Sequence, residues 1–207
     1  MNTPAEYFAG MYRDAEDPWS LGVRWYEQRK YALTTAALPR DRYRAAFEPG
    51  CSVGVLSVRL AERCAYLLSC DRSPRAVAAA RRRLSGHPHA RVHVRVLPEE
   101  WPEGAFDLVV LSEILYYFGP TEVGGLLARA AGSLESGGTL VAVHWRHPVA
   151  DHAQSGDAVH AALRRVPGLV RTVAHEEDDF LLDVFVRVPA GGERVYPRSV
   201  AESEGLA

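Results

Sequence analysis

Glu48-Pro49-Gly50-Cys51-Ser52-Val53-Gly54 is the stretch on which the fold turns. A short run at 44–48 leads into it as a strand and the pattern at 53–63 leaves it as a helix, so the glycines occupy a strand-to-helix turn. Glycine at 50 lets the chain turn sharply and lets a ligand approach the backbone, and Gly54 lets the next helix pack closely. The next strand, 65–70, is a continuous apolar run that ends at Asp71, and 71 − 50 places that acid 21 residues after Gly50. An acid about 20 residues beyond a glycine loop is placed to take the hydroxyls of a ribose. A carboxylate accepts both hydroxyl protons through charge-assisted bonds.

Outward from that unit, strand and helix keep alternating. Ser73 caps a helix with Pro74 at its first position, running to about Leu84, and 91–97 alternates as a third strand. Phe106-Asp107-Leu108-Val109-Val110-Leu111-Ser112 reads as a strand buried on both faces of a parallel sheet. A helix over 122–134, a Gly137-Gly138 turn into a strand over 139–145, and a helix near 157–165 come next. Two last strands, 170–175 and 180–188, are joined tightly enough to suggest an antiparallel hairpin. The pattern predicts an α/β fold: a doubly wound, mostly parallel sheet with helices on both faces and a C-terminal antiparallel hairpin. It divides the chain into a lid or helical segment at 1–43, with a polar start at 1–21 and a helix at 26–38, a ligand-binding core at 44–189, and a flexible tail at 190–207. In such sheets ligands bind outside the carboxyl ends of the strands where strand order reverses, which directs attention to the residues just after each strand.

Composition narrows the function classes. Apolar residues at 47% and charged residues at 24% of 207 are ordinary globular values, and the length suits one core. With 24 basic and 26 acidic side chains the net charge is −2, so no global field favours nucleic acid, and Arg81-Arg82-Arg83 reads as a solvated helix face. Cys51, Cys64 and Cys70 are odd in number and lack C-x-x-C spacing, which points away from disulfides and structural zinc and towards a reducing, cytoplasmic setting. No stretch approaches the ~20 apolar residues that span a bilayer, so no membrane partner is expected. His144, His147, Asp151 and His152 read as a polar rim at a strand end, and no metal is expected.

The order Glu48-x-Gly50-x-x-x-Gly54, Asp71, Leu97-Pro98-Glu99-Glu100-Trp101-Pro102, Phe106-Asp107-Leu108, Leu111-Ser112-Glu113 and Gly137-Gly138-Thr139-Leu140 resembles the class I S-adenosylmethionine-dependent methyltransferases. Asp17-Pro18-Trp19, Tyr26-Glu27-x-x-Lys30-Tyr31, Glu113-x-x-Tyr116-Tyr117 and His144-Trp145-Arg146-His147-Pro148 resemble the nodulation protein S-like N-methyltransferases within that class. The resemblance implies a Rossmann-like methyltransferase fold with S-adenosyl-L-methionine as cofactor. Glu48, Gly50 and Gly54 would line its methionine and ribose side, Asp71 would hold the ribose hydroxyls, and Leu97 and Pro98 would flank the adenine. Val96 stands where many members carry an acid for the adenine amino group, leaving Leu97 backbone or Glu99 to replace it. Cys51, Arg72 and Ser112 belong to the same expected cofactor set. Trp19, Tyr26 and Lys30 would close over the cofactor, with Tyr26 and Lys30, four apart on one helix face, aimed at the methionine carboxylate.

Methyl transfer is an in-line displacement, so an enzyme has mainly to align an acceptor lone pair and exclude water. An amine must be neutral to attack, and Glu113, Tyr116 and His144, near predicted strand ends, are the candidates to assist. Tyr117, Arg146 and His147 are the candidate acceptor contacts. The resemblance implies a small-molecule acceptor, an amino sugar or another amine, with a hydroxyl also compatible. Two other readings stay open. Gly50-Cys51-Ser52-Val53-Gly54 matches the G-x-S-x-G elbow of serine hydrolases, with Ser52 as nucleophile and Asp107 and His144 following in order, although only one strand precedes it. A non-catalytic nucleoside-binding domain would keep the same loop.

Overall fold

The computed structural model describes residues 2–189 and 199–206. Two helices, α1 (Ala5–Asp14) and α2 (Trp25–Ala36), precede the sheet. There follow β1 (Ala46–Pro49), α3 (Val55–Ala61), β2 (Leu67–Asp71), α4 (Pro74–Arg83), β3 (Ala90–Val94) and β4 (Phe106–Ser112). After a 3-10 turn at Leu115–Tyr117 come α5 (Pro120–Ser133), β5 (Leu134–Trp145), α6 (Gly156–Leu163), β6 (Leu169–Glu176), β7 (Phe180–Arg187) and the short α7 (Val200–Ser203).

The strands form one seven-stranded sheet in the order β3-β2-β1-β4-β5-β7-β6. β1 to β5 run parallel, and β7 inserts antiparallel between β5 and β6. The mixed sheet with its closing hairpin is the one the alternation predicts. Strand order reverses between β1 and β4, which opens a crevice at their carboxyl ends.

Side-chain alternation builds the two faces. Leu108 and Val110 of β4, with Val141 and Val143 of β5, join α3 and α4 residues such as Leu60 and Val77 in one core. Val109, Leu111, Leu140 and Ala142 face the opposite way, towards Leu126 of α5 and Val159 and Leu163 of α6. Ser73 caps α4 as its sequence indicates, its Oγ accepting from Ala76 N at 3.3 Å with Pro74 at the first position.

Three local expectations change. Residues 5–14, read as part of a polar start, form α1, because Tyr7, Phe8, Met11 and Tyr12 make an apolar stripe at helical spacing. Gly137 and Gly138 lie inside β5 instead of turning into it: the strand begins at Leu134, and its register against β4 shifts between Phe106 and Leu108. Of the expected tail, 190–198 lie outside the described residues, while Val200–Ser203 form α7.

Candidate active site

The loop after β1 is built by backbone conformations that few residues tolerate. Gly50 has φ +71° and Gly54 φ +79°, and a Cβ at Gly54 would lie 2.9 Å from Ala80 Cβ of α4. Gly54 therefore serves the close docking of loop on helix, and it does not reach the cavity wall. Ser52, between them, also has φ +48°. Its N–H donates to Asp71 Oδ2 at 3.0 Å, while Ser73 N donates to Asp71 Oδ1 at 2.9 Å. These amides, with that of Arg72, hold the carboxylate from the backbone side while the residue lines the cavity. Burial pushes the Asp71 carboxyl up, and the Ser73 and Ser52 amides partly offset it.

One strand over, Glu48 is 2% exposed. Its Oε2 accepts from Ser57 Oγ at 2.5 Å and Ser69 Oγ at 2.7 Å, with neither serine bonded to Oε1. Burial pushes this carboxyl up to about 7, against the pull of the two serines. Glu48 and Asp71 both line a cavity of about 610 Å³ in the crevice, a volume within the range of about 300–1,000 Å³ typical of small-molecule sites.

The cavity is roofed from the amino-terminal side. Tyr7, Phe8 and Tyr12 of α1 line it with Trp19, Leu21 and Arg24. Tyr12 Oη shares a hydrogen bond of 2.6 Å with Ser52 Oγ, and Arg75 donates to the carbonyls of Tyr12 and Arg13. At the other end of the roof, Thr3 N donates to Tyr117 O and Gly119 N to Asn2 Oδ1. Arg72 lies 5.2 Å from the centre of the Phe8 ring, on the wall that also carries Val96, Leu97, Pro98 and Glu99.

The far wall is acidic and aromatic. Glu113, at φ +54°, accepts from Lys30 Nζ on Oε1 at 2.7 Å, and on Oε2 from Tyr116 Oη at 2.6 Å and Trp145 N at 3.0 Å. Lys30 Nζ also pairs with Glu27 at 2.9 Å and is buried, so its charge is committed to two carboxylates of the wall. The Tyr26 hydroxyl is buried without a partner in a side chain that lines the cavity. Tyr116 stacks on His152 with ring centres 3.8 Å apart, and burial followed by the Glu113 charge pushes its hydroxyl well above the usual range.

The cavity wall brings together Trp19, Tyr26, Lys30, Glu48, Gly50, Cys51, Asp71, Arg72, Leu97, Pro98, Glu99, Ser112, Glu113, Tyr116 and Tyr117. It leaves out Gly54 and three acceptor-side candidates. His144 is wholly buried with both ring nitrogens engaged by protein, and burial holds its pKa well below the usual value. Arg146 pairs with Asp157 and Glu176, and His147 with Asp179, all near the β6–β7 link. Tyr7, Phe8, Tyr12, Glu27 and His152 join the wall without having been read as site residues. The α1 trio carried a detectable signal in its helical aromatic spacing, whereas His152 lies in a loop with no periodicity to place it.

The hydrolase arrangement does not assemble. Asp107 accepts from Arg44 N and Ala45 N at the amino end of β1, the opposite end of the sheet from Ser52. Ser52 Oγ meets a tyrosine, not an imidazole. Among the described residues no three His, Cys, Asp or Glu side chains gather to hold a metal, and no helix is long and apolar enough to cross a membrane.

Residues 10–163 match the family model of nodulation protein S. Nodulation protein S of Sinorhizobium fredii is 34% identical over 104 residues, 50% of this chain and 48% of that protein, so the chain spans about half the length of this curated relative. A Pseudomonas syringae protein assigned as a methyltransferase is 50% identical in its crystal structure, with a TM-score of 0.71 over 79% of this chain and 100% of that one. The N-methyltransferase NodS from Bradyrhizobium japonicum WM9, solved with S-adenosyl-L-homocysteine, shares the fold at a TM-score of 0.76 and 24% identity, over 88% of this chain and 98% of that one.

Proposed function

We propose, from the premise that the chain belongs to the nodulation protein S family, that it is an S-adenosylmethionine-dependent methyltransferase acting on an amine of a small molecule. The observation that carries this reading is the pair of carboxylates, buried Glu48 and half-buried Asp71, at adjacent strand ends around one cavity, joined by a glycine turn.

The residues fit the cofactor. Asp71, held in place by the Ser52 and Ser73 amides on the cavity wall, is the acceptor for the ribose hydroxyls. Glu48 offers Oε1 to the methionine ammonium. The unpartnered Tyr26 hydroxyl is the donor for the methionine carboxylate, a role that Lys30, paired with Glu27 and Glu113, fills less well. Leu97 and Pro98, which line the cavity together with Arg72 and Phe8, are the residues for the adenine. S-adenosylmethionine bound there supplies an electrophilic methyl group on a cationic sulfur.

The chain's own part is alignment and exclusion of water. α1 covers the cavity. Tyr116 Oη, whose proton goes to Glu113, has lone pairs left to accept an N–H of a neutral amine and so to orient its nitrogen. Glu113 behind it favours the cation that methyl transfer leaves on that nitrogen. An amino sugar such as glucosamine is the acceptor the family resemblance favours.

Incubation with methyl-labelled S-adenosylmethionine and either glucosamine or its deacetylated oligomers, read by mass spectrometry, tests this directly. The expected product is an N-methylated sugar. Binding of S-adenosylhomocysteine with no label on any amine would overturn the acceptor class.

A further inference from the structure

His144 and His160 lie outside the cavity wall, are wholly buried and touch each other. Leu115 N donates to His144 Nε2 at 3.3 Å, His144 Nδ1 lies 3.1 Å from His160 Nε2, and His160 Nδ1 lies 2.8 Å from Asp183 Oδ2. The Leu115 amide can only donate, so His144 Nε2 carries no proton and the neutral ring carries it on Nδ1. One proton fits between two nitrogens 3.1 Å apart, so His160 Nε2 accepts it and His160 Nδ1 donates to Asp183. Asp183 is anchored at the surface end by Arg164 at 3.0 Å and Arg171 at 3.3 Å. Burial alone would raise its carboxyl, but the His160 hydrogen bond and the neighbouring cations hold it below the ordinary range.

We infer that His144, His160 and Asp183 are positioning residues: a one-directional hydrogen-bond relay, with the Nδ1–H tautomer at both histidines, that holds the acceptor wall through the Leu115 amide. The wall needs holding. Glu113 occupies a left-handed conformation that side chains rarely adopt, and such strain persists only where neighbours over-determine it. Two contacts do so on either side: Glu113 N donates to Val143 O at 2.8 Å, and Leu115 N donates to the relay. Leu115 also opens the 3-10 turn that carries Tyr116, and its amide is one of the orphan donors that a helix start leaves unsatisfied. The inference rests on the proposed acceptor side of the cavity, but the relay has a signature independent of activity.

That signature is read by nitrogen-15 NMR of the histidine-labelled protein with S-adenosylhomocysteine. We expect pyrrole-type Nδ1 and pyridine-type Nε2 signals from both rings, with a coupling across the hydrogen bond from Leu115 N to His144 Nε2. His144→Leu should speed hydrogen exchange of the 115–117 amides about tenfold or more while cofactor-product affinity stays within about twofold, and His144→Gln, which can still accept from Leu115, should restore protection. An Nε2–H tautomer or an imidazolium at either ring overturns the inference, even if the leucine variant fails to fold. Equal exchange in the two variants, or loss of cofactor-product binding in step with exchange, also overturns it. Failure of the wild-type protein to bind S-adenosylhomocysteine would instead count against the methyltransferase reading, and the tautomers would still decide the relay.

Discussion

Lys30 Nζ lies 2.7 Å from Glu113 Oε1, joining α2, ahead of the sheet, to the loop that leaves β4. The lysine side chain is 3% exposed, and burial, which would lower its pKa, is outweighed by Glu113 and Glu27. Lys30→Met keeps the stem's packing but leaves two carboxylates without their cation. The expected loss is about 3–5 kcal/mol of stability, the cost of breaking a buried pair from one side. Urea denaturation checks it, and a loss below about 1 kcal/mol would mean that water already solvates the pair.

Glu48 makes both stability and binding depend on pH. Its folded pKa of about 7 lies above the ordinary 4.5, so between those values the folded protein holds a proton that the unfolded chain has released. Stability of the ligand-free protein should therefore fall by about 3 kcal/mol from this group as pH rises from 4.5 through 7. An ammonium bound at Oε1 favours the carboxylate, so affinity for S-adenosylhomocysteine should rise between pH 6 and 8, with a proton released on binding near pH 7. Calorimetry in buffers of different ionisation enthalpy measures that proton. The pH dependence should vanish in Glu48→Gln; if it survives there, another group is titrating.

The two loop glycines should differ. Both have positive φ, but a Cβ at Gly50 would meet the tip of Ile114 at 2.7 Å, whereas one at Gly54 would meet Ala80 Cβ at 2.9 Å and its Cα at 3.0 Å. A side-chain tip can swing away; a helix backbone cannot. Gly54→Ala should destabilise by more than Gly50→Ala, each by at least about 1 kcal/mol, with Gly50→Ala showing the larger relative loss in cofactor-product binding. Thermal denaturation and calorimetry of the two variants test the ranking, and the reverse order would contradict the assigned roles.

Much of this site follows from strand ends and glycine spacing, since those depend on local sequence alone. β4 spans Phe106–Ser112 as its short, mostly apolar run indicates, and Asp71 ends β2 beside the cavity. His144 shows what proximity to a strand end does not settle. It shares the parity of Leu140 and Ala142 and so points into the α6 side, while Trp145, one residue on, lines the cavity. Lys30 has the helical spacing that aims it at the crevice, but its capture by Glu113, 83 residues away, is a tertiary fact that no local pattern carries.

Ser52→Ala tests the elbow motif against the fold around it. Ser52 Oγ contacts Tyr12 of the roof, so the substitution removes one lid contact worth about 0.5–1.5 kcal/mol. Methyl transfer should stay within about tenfold of the wild type. Loss of nearly all activity would indicate a serine nucleophile after all.

Titration of S-adenosylhomocysteine into the wild-type protein and into Asp71→Ala, followed by calorimetry, bears most directly on the central claim. One site per chain is expected, weakened in the variant by about 1.5–3 kcal/mol because a charged acceptor of two hydrogen bonds is lost. Absence of binding to the wild type, or equal affinity in the two proteins, would contradict the assignment of this cavity to the cofactor.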